Sequence, residues 1–109
     1  MNELAVSTIT FRGLELPAAL DCIAAEGFSV VDLALIPRFC PHADPLALDD
    51  EGRRRLRGLF DERGLRALTM NTWSLTALNR AEGPEVELAW LRASLRLAAA
   101  LGCRAVSAQ

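Results

Sequence analysis

The stretch Val30–His42 changes character halfway along. Val30 to Ile36 is almost wholly apolar, whereas Pro37 to His42 is polar and turn-prone. Such an apolar run predicts a strand covered on both faces, as in a parallel sheet. One carboxylate, Asp32, interrupts it, and a carboxylate in that setting has to find donors or a counter-charge. The loop that follows carries Arg38, Phe39, Cys40 and His42. Parallel α/β proteins build their sites from loops at the C-terminal ends of buried strands.

The remaining pattern repeats this theme. Leu4–Phe11 is rich in Val, Ile and Thr and predicts a first strand. A helix follows from about Pro17, with Leu16, Leu20, Ile23 and Ala24 on one stripe and Gly27 placed as its cap. After the long loop Pro37–Leu48, Asp49 and Asp50 predict the start of a second helix, which turns Leu56, Leu59 and Phe60 inward. Arg53, Arg54, Arg55 and Arg57 read as its solvated face, with Glu51 and Arg55 spaced to pair. Leu65–Thr72 predicts a third strand, although its alternation is less clean. A second long loop, Trp73–Gly83, leads to a helix opened by Pro84 and Glu85. That helix has two apolar stripes, Val86, Trp90, Ala93, Leu97, Leu101 and Leu88, Leu91, Leu95, Ala98. Cys103–Ala108 predicts a fourth strand.

The order is therefore strand then helix, three times over, and then a strand. Strand starts at Leu4, Val30, Leu65 and Cys103 lie 26, 35 and 38 residues apart. A (β/α)8 barrel uses about 31 residues per unit. The pattern thus predicts an α/β chain of parallel (β/α) units, about half of a TIM barrel, with 1–109 as one partial domain. The competing open sheet with a dinucleotide site lacks its glycines, because Phe11-Arg12-Gly13-Leu14 is not G-x-G-x-x-G.

Composition narrows the function. Hydrophobic residues make up 51% of the 109, enough for a packed core. The net charge of −2 argues against a nucleic-acid partner, and no apolar run reaches the length of a membrane span. No secretion signal is visible, and three dispersed cysteines read as reduced thiols, so a cytoplasmic location is expected.

GFSVVDLALIP after a glycine-capped helix, LRALTMNTW, and LAAALGCRAVSAQ resemble the sugar phosphate isomerase/epimerase family with its xylose-isomerase-like TIM barrel. The resemblance covers the N-terminal half of that barrel, and Cys40-Pro41-His42 matches a C-x-H seen after strand two in some members. It implies metal-assisted aldose/ketose isomerisation or epimerisation of a small sugar, sugar phosphate or polyol. It also implies a divalent metal (Mn, Mg, Co or Zn) whose ligands come mainly from strands five to eight, beyond this chain. Asp32 stands where a glutamate is usual, and Asn71 and Gln109 where histidines are common. The 109 residues alone are therefore expected to be an inactive fragment. Two alternatives are a non-catalytic half-barrel that holds a small molecule and an inactive remnant. Self-association through the exposed sheet edges is a further expectation.

The candidate substrate-binding residues are His42, Asn71, Trp73, Gln109 and Asp32. His42 could bind a hydroxyl or phosphate, or fix the Pro41 turn. Asn71 and Gln109 end strands with amides suited to hydroxyls, Trp73 could stack on a sugar, and Asp32 could order a pocket floor. Cys40 and His42 together offer at most two soft ligands of a metal site.

Overall fold

A computed structural model describes residues 4–36, 39–72 and 83–108. The chain is an α/β protein built on a parallel sheet. In order it forms β1 (Ala5–Ser7), α1 (Leu16–Ala25), β2 (Val30–Ile36), β3 (Cys40–Pro41), α2 (Asp50–Asp61), β4 (Arg66–Thr72), α3 (Gly83–Leu101) and β5 (Ala105–Ala108). Short 3-10 turns occupy Thr8–Phe11 and Pro45–Ala47. The sheet order is β1-β2-β4-β5, with every neighbouring pair parallel.

One face of this sheet carries all three helices. Val31, Leu33 and Leu35 of β2 and Ala67 and Met70 of β4 pack with Leu16, Leu20, Ile23, Phe60, Leu97 and Leu101 in one buried cluster. Alternation sends Asp32, Ala34 and Ile36 to the opposite face. In β4 a regular strand would place Ala67 and Thr69 on the same side. The register shift between Val31 and Asp32 makes Leu68 an extra residue. Ala67 therefore joins the helix-side core, while Thr69 pairs with Asp32 on the other face. This bulge explains why the LRALTMNT pattern alternates poorly.

The helix ends follow local chemistry. Asp49 caps α2 by accepting from Gly52 N at 2.7 Å. Gly64 and Gly102 adopt φ of +66° and +76° after α2 and α3, where a side chain would be strained. There the chain closes with Leu65 N donating to Phe60 O and Cys103 N to Ala98 O, both at 2.9 Å. Among the described residues no helix is long and apolar enough to cross a membrane.

Three expectations need correction. The first strand ends at Ser7 rather than Phe11, because Thr8 leaves the ladder and uses its side chain instead: its buried hydroxyl accepts from Ala34 N at 3.0 Å. The loop 37–48 holds a fifth, two-residue strand, β3, antiparallel to the end of β2. Glu51 and Arg55 do not pair, and α2 instead carries the ion pairs Asp50–Arg53 and Arg57–Asp61.

Thr8→Val keeps the shape and strands the buried Ala34 N–H. It should cost about 1–3 kcal/mol in urea unfolding, with Thr8→Ser restoring most of it. A Thr8→Val chain as stable as the parent would remove this role.

Candidate functional site

Among the described residues one pocket lies at the C-terminal ends of β1 and β2 and another over the middle of β2, β4 and β5. The first has a volume of about 440 Å3 and lies between the turn after β1, the start of α1, Pro41, His42 and α2. The second, about 370 Å3, opens on the helix-free face and is lined by Asp32, Thr69, Met70, Asn71, Ala105, Val106 and Ser107.

The first pocket is walled by a clamp. The His42 Nε2 lies 2.9 Å from Leu14 O and 3.2 Å from Phe11 O. Carbonyls only accept, so Nε2 is the protonated, donating nitrogen. In the neutral ring Nδ1 is then the acceptor, and the Cys40 Sγ lies 3.4 Å from it and 4.0 Å from Thr8 O. Both ring nitrogens are thus engaged within the protein. Burial pushes the Cys40 thiol above its ordinary range, only partly offset by Thr8, His42 and Arg12. A fully buried, protonated thiol is a poor nucleophile and a poor metal ligand. Arg12 stacks over the exposed Phe39 ring at 4.8 Å from its centroid.

A second polar set is equally closed. Trp90 Nε1 donates to Thr72 Oγ1 at 2.7 Å, and Thr72 shares a 3.1 Å hydrogen bond with Ser94 Oγ. Thr72 and Ser94 are buried between β4 and α3. Sequence reasoning placed Trp90 in the core and missed both partners. The signal was a serine inside an otherwise apolar helix face, opposite a threonine at a strand end.

The pocket on the bare face is different in kind. Parallel register aligns Asp32, Thr69 and Ala105 in one row and Ala34, Asn71 and Ser107 in another. Thr69 Oγ1 donates to Asp32 Oδ1 at 2.5 Å. Among the described residues no cation pairs with Asp32. The Asn71 Oδ1 is buried and has no hydrogen-bond partner there. Buried acceptors are rarely left unpaired, so this atom marks a place for a donor. The negative charge of Asp32 is felt nearby: burial first, and then Asp32, pushes the Cys103 thiol up to about 11.

The structure therefore brings Asp32 and Asn71 together and adds Thr69 and Ser107, which sequence reasoning did not single out. Their signal was small polar residues at alternate positions of strands that are otherwise apolar. His42 lines the other pocket. Trp73 and Gln109 lie outside the described residues. Among the described residues no three His, Cys, Asp or Glu side chains come together, and Asp32 is the single carboxylate lining its pocket. That donor set does not fit the divalent metal that the family resemblance implies. No protein-family model and no curated protein matches this chain.

Two outcomes follow. His42→Ala leaves Cys40 and two carbonyls without partners and should cost about 1–3 kcal/mol in unfolding experiments. A variant of unchanged stability would show that the clamp carries no weight. Asp32→Asn should lower the Cys103 pKa and speed its alkylation, read by mass mapping against Cys22. In the parent chain the folded state holds this proton tighter than the ordinary 9.0, so stability should fall as pH rises from 9 towards about 11. Equal alkylation rates in parent and variant would mean that Asp32 does not act on Cys103.

Proposed function

We propose that this chain is about half of a xylose-isomerase-like TIM barrel, related to the sugar phosphate isomerases and epimerases, and that it binds a small sugar or polyol on the helix-free face of its sheet. The observation that carries this reading is the set of Asp32, Thr69, Asn71 and Ser107, in two adjacent register rows around an open pocket, with a buried amide oxygen that has no donor among the described residues. Vicinal hydroxyls each donate and accept, and they match mixed carboxylate, hydroxyl and amide groups held at fixed strand spacing.

The strands supply the rigidity that recognition needs. Each of the four side chains sits on a ladder position whose neighbours are hydrogen-bonded. The small Ala105 side chain lines the pocket beside them. Interconversion of the bound sugar would need a base and an electrophile that the described residues do not assemble, so binding is the role assigned to them. His42 serves this reading from outside, by holding the turn after β1 against the loop after β2.

The test is an amide NMR titration of the 109-residue chain with unphosphorylated monosaccharides. Saturable shifts are expected at Asp32, Thr69, Asn71 and Ser107, with a Kd on the order of 1 mM for so open a site. Residues 12–17 should stay unmoved. Shifts confined to those residues, or none at any sugar concentration reached, would refute the assignment.

A further inference from the structure

We infer that the sheet-face pocket selects an amine-bearing polyol, one carrying an ammonium among its hydroxyls, over a neutral or phosphorylated one. This inference rests on the reading that the pocket binds a small polyol. It names the charge of that ligand.

The donor and acceptor inventory points one way. Thr69 spends its only proton on Asp32, so towards a ligand its oxygen can only accept. The free valence of the Asp32 carboxylate accepts. The Asn71 Oδ1 accepts and lacks a donor among the described residues. The Asp32 carboxylate and the Thr69 hydroxyl oxygen thus bring acceptors to this pocket, and the Ser107 hydroxyl can donate or accept. An ammonium brings three N–H donors and no acceptor, and its hydrogen bond to a carboxylate is charge-assisted.

The charge balance agrees. All 12 basic side chains of the sequence are arginines. None of them lines this pocket among the described residues. Arg53, Arg57 and Arg63 are engaged with Asp50, Asp61 and Asp21, and Arg12 lies over Phe39. A phosphate here would face the Asp32 carboxylate with no cation beside it among the described residues.

The experiment compares D-glucosamine, D-glucose and D-glucose 6-phosphate on the 109-residue chain by the same amide titration at neutral pH. Glucosamine should bind about tenfold tighter than glucose, the size of one charge-assisted hydrogen bond, and glucose 6-phosphate weaker than either. Added salt should shrink the glucosamine advantage. Asp32→Asn should bring glucosamine and glucose to the same Kd. Ser107→Asp, at an exposed edge-strand position, should widen the gap, and it keeps the test decisive if Asp32→Asn fails to fold. Equal Kd values for glucosamine and glucose in the parent chain, or tightest binding of the phosphate, would overturn the charge selectivity and leave polyol binding standing. No binding of any of the three would overturn both.

Discussion

The burial of one sheet face under three helices is the constraint on which the rest depends. Val31, Leu33, Leu35, Ala67 and Met70 supply that face, and Leu20, Ile23, Phe60, Leu97 and Leu101 cover it. Removing this apolar surface from water is the main force that orders the strands side by side. Because the α-helices return on the same side each time, the other face carries no α-helix among the described residues; the 3-10 turn Thr8–Phe11 covers its Ala34 and Ile36 end through Ile9, and the part around Asp32 stays open. Polar side chains can stand there without the cost of full burial. Asp32 is tolerated in the middle of β2 for this reason: its neighbours on the strand face the core, and it faces the opening.

The β4 bulge then sets the chemistry of the open face. With Leu68 taken out of step, Thr69 stands beside Asp32 and Asn71 one position further, level with Ser107. Without it, Thr69 would share a side with Ala67 in the helix-packed core, where a hydroxyl needs a partner. One extra residue therefore converts a strand that begins by packing inward into one that presents two polar groups outward.

Much of the fold was legible in the residues. The caps at Asp49, Gly64 and Gly102, the inward stripe of α2 and the parallel order all follow from local preferences or hydrophobic spacing, which act over a few residues. The failures are tertiary. Nothing near Thr8 in the sequence announces that its hydroxyl will replace a strand's backbone at Ala34, so β1 is shorter than its composition suggests. The second apolar stripe of α3 divides, with Ala98 buried and Leu88 and Leu95 exposed, because helix spacing cannot say which side meets the sheet. Asp32 and Asn71 were legible as site candidates from their places in and at the end of strands. Their partners Thr69 and Ser107 were not, because both depend on cross-strand register.

Polar satisfaction separates the groups paired within the protein from the one left unpaired among the described residues. Thr8, Cys40, His42, Thr72, Ser94 and Trp90 all look like functional candidates by residue type, yet each is paired within the protein. Their hydrogen bonds hold loops to strands and α3 to β4. Leaving such groups unpaired would cost stability, so a folded chain pairs them. Asn71 Oδ1 is the exception among the described residues, and Asn71 shares a pocket with Asp32, a carboxylate that has no counter-ion among them. A molecule tolerates an unpaired acceptor and an unneutralised charge together only where something else completes them. Water can do so weakly at the open face. A ligand with several donors on a small frame completes both at once.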